Sequence, residues 1–259
     1  MKVISICPSN TEVIAYLGLA DQLIAVDDHS DWPPEIIGLP RVGPDLSINM
    51  DLVEQLKPDI VLASLSVPGM EKNIAELEKR NIPHIILNPQ SLADIENDLL
   101  VVSEVLDLPE KGKEVARSFR EQFAELKAKS EEAVYKPSLY WEWWPKPVFT
   151  PGKVNWLTEL SEAVGAYNIF HDINLANIQT DWEEVYKRNP DYICLAWVGV
   201  RRQKVNPKIV FKRPSWSNLE ALKKEHIFVL EEELFCRPSP RLLEGAKKLA
   251  KLIHPDLFK

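Results

Sequence analysis

The sequence predicts an α/β protein of two similar Rossmann-like lobes, each built on a parallel sheet and joined by a long interlobe helix. Three observations predict it: short apolar runs alternate with helix-patterned stretches in both halves, two motifs recur from one half to the other, and a long amphipathic stretch lies between them. Such alternation places helices on both faces of parallel strands.

In the first half the strands read as Val3–Cys7, Ile24–Val26, Ile60–Ala63 and His84–Leu87, short and apolar, with helical patterns between them. The second half supplies Ser138–Trp141, Tyr192–Ala196 and Ile227–Leu230. Thr11-Glu12 with Gly18 recurs as Thr158-Glu159 with Gly165, at the same spacing. DLVEQLKPDIVLA, from Asp51 to Ala63, is echoed by EEVYKRNPDYICLA, from Glu183 to Ala196. Both copies read helix, Pro-Asp, strand, which points to an internal duplication.

Between the halves, Val115, Phe119, Phe123 and Leu126 follow helical spacing, and Pro109 suits a first helical turn. The expected helix runs from Pro109 to about Val134, on the order of 35 Å at 1.5 Å per residue. A helix that links lobes restricts hinge motion more than loops would, so modest closure on ligand is expected. The domains are therefore read as 1–106 for the first lobe, 107–136 for the connecting helix and 137–259 for the second lobe.

Composition narrows the function. A net charge of −8 repels polyphosphate, and the basic cluster of Arg201, Arg202 and Lys204 is short, so nucleic acid is not an expected partner. Cys7, Cys194 and Cys236 are widely spaced and form no CxxC pair, so no disulfide framework or zinc ribbon is expected. Cys7 and Cys194 read as small buried residues. The opening MKVISICPSN carries no long apolar region, and nowhere do about 18 apolar residues run together, so neither a signal peptide nor a membrane span is expected in the chain as written.

Ligands of parallel α/β sheets sit outside the carboxyl ends of the strands. After the first strand come Pro8, Ser9 and Asn10, with Ser9 or Asn10 as an expected helix cap and the freed N–H groups available to a ligand. The next strand leads into Asp27-Asp28-His29-Ser30-Asp31-Trp32. In the second half the corresponding stretch holds Trp141, Trp143 and Trp144, followed by Phe149 and Trp156, with Trp197 beyond another strand. Three tryptophans in four residues cannot share one face of a strand, so some are expected in a loop lining a flat apolar pocket. The sequence has no GxGxxG after a strand, no GxxxxGK[ST], no GxSxG and no HExxH. His29 with Asp28 and Asp31 offers a metal reading, weaker than that of a loop histidine among solvated acids, and no metal is expected.

ICPSNTEVIAYLG, DDHSDWP, LKPDIVLAS, FTPG, GAYNIF, NPDYICLAW and FCRPSPRLLEG, in this order over nearly the whole chain, resemble the periplasmic cobalamin-binding proteins of ABC transporters. These belong to the class III solute-binding superfamily, which also takes iron–siderophore and haem ligands. The resemblance implies a monomeric binding protein, not an enzyme, that has no cofactor of its own and holds a corrinoid in its interlobe cleft. It adds Asp45, Ser64, Phe235 and Arg237 to the ligand set. Asp45, Ser64 and Asn177 stand where the best-known member has aromatic residues, and His29 where it has a tyrosine, so the pocket is expected to be aromatic but differently built. The family's transporter contact, a glutamate on each lobe facing permease arginines, maps onto Glu71 in GMEKN and Glu183 in QTDWEEV. Family members work outside the inner membrane, whereas the chain as written reads as cytoplasmic. Haem, a siderophore or another planar ligand stays open, as does a cytosolic carrier. The contrasting reading is a cytosolic enzyme on the same scaffold, using His29 and Asp31 as acid–base groups.

Overall fold

Valine, isoleucine and leucine dominate the short strands of the first half, as strands covered on both faces require. The computed structural model describes residues 1–258, which divide into two units. The first comprises Met1–Pro89, Ala93–Phe119 and Pro238–Pro240; the second comprises Gln90–Leu92, Arg120–Arg237 and the described residues from Arg241 onward.

The first unit runs β1 (Val3–Ser5), α1 (Pro8–Tyr16), β2 (Leu23–Val26), α2 (Met50–Leu56), β3 (Ile60–Ser64), α3 (Glu71–Lys79) and β4 (His84–Leu87), then α4 (Leu92–Val105) from its second residue and the first half of α5 (Pro109–Ser130). Its four strands pair in parallel in the order β2-β1-β3-β4. β3 is central and buried along its whole length. Ile4 and Ile6, Val61 and Ala63, Val53 from α2, and Ile74 and Leu77 from α3 close one core. Burial of such side chains contributes roughly 1.5–3 kcal/mol each. The unit boundary falls inside α5, after Phe119.

The second unit runs β5 (Ser138–Glu142), β6 (Trp144–Pro145), β7 (Val148–Pro151), α6 (Trp156–Ala163), β8 (Tyr167–Asn168), β9 (Asn177–Thr180), α7 (Trp182–Arg188) and β10 (Tyr192–Leu195). It continues with α8 (Glu220–Lys223), β11 (Ile227–Val229), α9 (Glu232–Phe235) and α10 (Leu242–Ile253). A parallel sheet has the order β11-β10-β5-β8, and β6, β7 and β9 form a separate antiparallel sheet. Each unit is thus an α/β layer with a parallel sheet, the fold class expected from the sequence.

The duplication is visible in topology and in detail. Read from the other edge, the second sheet is β8-β5-β10-β11, the counterpart of β2-β1-β3-β4. Just past α1 and α6, Gly18 and Gly165 stand at φ +73° and +75°, a left-handed turn that glycine adopts without the strain a side chain would bring. α2 and α7 end on left-handed Lys57 and Asn189, each followed by Pro-Asp. Both aspartates then receive the first strand of their sheet: Asp59 accepts the Lys2 N–H at 2.6 Å and Asp191 accepts the Ser138 N–H at 2.8 Å.

Three local expectations are corrected. Cys7 is not part of β1 but the residue before α1, and Pro8 opens that helix, so Ser9 and Asn10 lie within its first turn instead of capping it. Proline suits this position because it has no N–H to leave unpaired. The long helix stops at Ser130, short of Val134, which is fully exposed. Past Ser130 the chain meets β-branched Val134 and then Pro137, which disfavours a helical residue before it. The stretch after β5, expected as a loop, is instead the hairpin of β6 and β7, masked in the sequence by Pro145 and Pro147, which donate no ladder hydrogen bonds.

Candidate functional site

At the carboxyl ends of β1 and β2 the first unit buries a chain of hydroxyls. Ser5 Oγ lies 2.8 Å from Thr11 Oγ1, which lies 2.7 Å from Ser30 Oγ, which in turn contacts Asp27 Oδ1 at 2.5 Å. Asp27 Oδ2 also accepts the N–H groups of His29 and Ser30. Arg41 ties the same loop down by donating to the carbonyls of Asp27 and Ser30. Asp27 is fully buried, and the loss of water outweighs these donors, pushing its carboxyl up to about 6.

This cage fixes a polar rim. The His29 side chain is 57% exposed, and its Nε2 stands 3.8 Å from Asp45 Oδ1. Asp45 is held in place by Asn73 Nδ2, which donates to its carbonyl at 2.6 Å. Trp32 is half-buried with its ring 5.7 Å from that of Tyr16. Pro8, Ser9 and Asn10 are buried, and Asn10 Nδ2 donates to the carbonyl of Ala63, tying α1 to β3. Ser64, also buried, hydrogen-bonds Ser66. These residues therefore shape the loops, while His29, Trp32 and Asp45 present surface. Ser239 Oγ donates to the buried Glu12 carboxylate, a contact that no spacing in the sequence announces.

In the second unit the tryptophans sort by strand alternation. Trp141 lies inside the unit with no exposed surface, its Nε1 donating to Ser161 Oγ at 2.9 Å and its ring 5.5 Å from Phe235. Phe235 is equally buried. Both were expected in the ligand set; the structure makes them core residues of α6, α9 and β5. Trp143 and Trp156 are also almost wholly buried, with ring centroids 6.0 Å apart; Trp156 Nε1 donates to the Phe235 carbonyl, and Trp143 Nε1 has no hydrogen-bond partner among the described residues. Phe149 is half-buried in β7. Arg237 is buried and donates to Glu232 at 3.2 Å. Trp144, 43% exposed on β6, lies with its ring 6.4 Å from that of Trp197 just past β10, and these two rings form an accessible aromatic pair.

The residues that fix this surface were not singled out from the sequence. Glu142 and Arg213 are fully buried and form a two-point ion pair at 2.6 and 2.7 Å. The Tyr140 hydroxyl donates to Glu142 at 2.7 Å, and Trp197 Nε1 donates to the same carboxylate at 3.1 Å. The guanidinium also lies over the rings of Trp216 and Trp182, at 4.4 and 5.2 Å. The four donors replace the water that the carboxylate loses, and the stacked rings cover the guanidinium, whose buried Nε has no hydrogen-bond partner among the described residues. A carboxylate at the end of an apolar strand and an arginine 71 residues later are a pair that only the fold brings together.

The remaining candidate chemistry is weak. The three cysteines are free, and burial pushes the Cys7 thiol up to about 11 and the Cys194 and Cys236 thiols up as well, away from the nucleophilic thiolate. Among the described residues no group of three or more His, Cys, Asp or Glu side chains is placed to hold a metal ion, and no helix is long and apolar enough to cross a membrane.

Two α/β units with polar and aromatic rims at the carboxyl ends of parallel strands define a small-molecule binding scaffold. The chain belongs to the periplasmic binding protein family, whose model matches residues 3–234. Across its full length it is 31% identical to the uncharacterized ABC transporter substrate-binding lipoprotein YvrC of Bacillus subtilis, covering 81% of that protein. Over 94% of the chain it is 30% identical to the vitamin B12-binding protein of Vibrio parahaemolyticus, covering 86% of it. The crystal structure of the periplasmic vitamin B12-binding protein BtuF of Vibrio cholerae superposes with a TM-score of 0.81 at 24% identity, covering 99% of this chain and 98% of that one. The haem complex of IsdE from S. aureus gives 0.86 at 17% identity, with 98% of each chain covered.

Two outcomes test this geometry. Arg213→Met strands the Glu142 carboxylate in the interior, and we expect it to cost about 3–5 kcal/mol in urea unfolding. Adding Glu142→Leu should recover part of that loss; a double variant as unstable as the sum of the two singles would disprove the coupling. Asp27 sets a pH dependence. Below its ordinary value of 3.8 the folded and unfolded chains both hold the proton, and as pH rises to about 6 the unfolded chain releases it first. Stability from this group is therefore present at low pH and declines across that window, by up to about 3 kcal/mol. Urea midpoints between pH 4 and 7 should show a decline in wild type relative to Asp27→Asn.

Proposed function

We propose that this chain is the solute-binding component of an ABC transporter and that its solute is a corrinoid. The observation that carries the reading is the similarity, over 94% of the chain, to a vitamin B12-binding protein. The substrate-binding lipoprotein among its relatives supports a transporter partner and a working place outside the cytoplasmic membrane. Members of the family are binding proteins, and the buried, protonated thiols fit a chain that binds without catalysis. Trp144 and Trp197 offer two accessible ring faces, inclined at 54°, on either of which a tetrapyrrole-like ring can stack, and Phe149 stands opposite Trp144 in the β6–β7 pairing. His29, Trp32 and Asp45 are the side chains that the first unit contributes, on loops shaped by Ser9, Asn10 and Ser64.

Titration with cobalamin and cobinamide, followed by calorimetry and tryptophan fluorescence, should give one ligand per chain. Trp144→Ala and Trp197→Ala should each weaken binding about three- to tenfold, the contribution of one aromatic contact. No heat and no quenching at tens of micromolar would remove corrinoids; a haem spectrum in the purified protein would assign haem instead.

Glu71 and Glu183 are the proposed permease contacts. Glu71 opens α3, exposed, with its carboxylate on the Gly69 N–H at 2.7 Å. Glu183 lies in the first turn of α7, 75% exposed and 2.9 Å from Lys187. Exposed pairs of this kind contribute about 0.2–1 kcal/mol to folding, whereas charge reversal at a desolvated interface costs several. Glu71→Arg with Glu183→Arg should leave ligand affinity and stability unchanged yet stop delivery to a reconstituted permease. Delivery that survives both changes would end the docking role.

A further inference from the structure

Between β10 and α8 the chain runs from Trp197 to Leu219 without a single acidic residue, while carrying Arg201, Arg202, Lys204, Lys208, Lys212 and Arg213 in a protein of net charge −8. Arg213 is consumed by Glu142, and Arg202 meets Glu231 at 3.3 Å. Arg201, Lys204, Lys208 and Lys212 are exposed, and among the described residues none of them has an ion-pair partner. The same segment exposes Val198, Ile209 and Phe211 at 43%, 42% and 47%.

The local geometry makes this more than a solvated charge run. Pro207–Lys212 is a 3₁₀ helix, in which residues three apart eclipse one another. Val210 takes the inward row and is fully buried. The two outward rows are then Lys208 with Phe211, and Ile209 with Lys212. Each exposed row pairs one apolar side chain with one ammonium on a flexible stem. The turn is not a loose loop, because Val205, Val210 and Trp216 are buried in the core of the second unit and Arg213 anchors its end.

We propose that Arg201–Lys212 is a docking surface for an anionic phospholipid bilayer. Phe211 and Ile209 enter the boundary between headgroups and acyl chains, and the cations stay at the headgroup level. An acidic protein would be met by the cations but gives no reason for an exposed phenylalanine and isoleucine interleaved with them. The acidic remainder of the chain is repelled by such a membrane, so this face alone would approach it and would set the orientation of the second unit on the bilayer.

Sedimentation with vesicles of about one-third phosphatidylglycerol in phosphatidylcholine tests it. Each basic side chain at an anionic surface is expected to contribute roughly fivefold in partitioning. Wild type should bind these vesicles and not pure phosphatidylcholine, and about 0.5 M salt should release it. Lys208→Glu with Lys212→Glu should lower partitioning at least about 25-fold, and Arg201→Glu with Lys204→Glu, on a separate turn, should give a comparable loss. Phe211→Ser should weaken binding severalfold without changing its salt dependence. Equal binding to both vesicle types, or wild-type binding by both charge-reversed variants, would overturn the proposal. Salt-sensitive capture by polyglutamate with no vesicle binding would also overturn it and assign an acidic protein to the surface.

Discussion

Parallel pairing of short strands is the constraint on which both units depend. A parallel neighbour can be reached only through a crossover, so each strand is followed by a helix or a long segment that returns the chain to the opposite end of the sheet. Within each parallel sheet the strands then finish at one edge of that sheet, where the loops leaving β1, β2 and β3 gather in the first unit and those leaving β5 and β10 gather in the second. The polar residues of those loops need partners once the strands are buried on both faces. In the first unit they find them in the Asp27, Ser30, Thr11 and Ser5 chain, and in the second in the Glu142 and Arg213 pair.

These two solutions differ in chemistry and serve the same end. Asp27 is a single buried carboxylate whose hydroxyl partners can turn either way, so a proton relieves it at modest acidity. Glu142 meets a permanent cation and is held by four donors. The second arrangement carries through to the surface: the carboxylate that binds Arg213 also binds the Trp197 ring nitrogen, and that ring meets Trp144. A buried ion pair thereby sets the position of an accessible aromatic face. It also holds the amino-terminal side of the same 197–219 segment, on which the basic and apolar side chains are displayed.

Family membership and this geometry bear on different questions. Similarity over nearly the whole chain establishes a periplasmic binding protein. The relatives include vitamin B12-binding proteins and a haem complex, so membership alone does not fix the solute. Trp144 and Trp197 have no aromatic counterparts in the first unit: β1 and β3, which correspond to β5 and β10, lead into Ile6-Cys7 and Leu65-Ser66, while His29 and Asp45 follow β2.

The sequence by itself determined the α/β class, seven of the eight parallel-sheet strands to within one or two residues, and the duplication, because burial on two faces writes apolar runs and because Pro-Asp and the turn glycines mark the same corners twice. It also marked the loops at the strand ends. Which tryptophans are core and which are surface was decided only by tertiary structure. Alternation separates neighbours, but β5 is buried on both faces, so Trp141 is enclosed with Phe235 against α6 and α9 while Trp144, on β6 beyond the end of β5, stays out. The β6 and β7 hairpin was hidden because proline removes the donors by which a strand is recognised. Pairings such as Glu142 with Arg213, Thr11 with Ser30 and Glu12 with Ser239 join residues far apart in the chain. No local periodicity encodes them, since their energy comes from shared removal from water, a property of the folded interior and not of any segment.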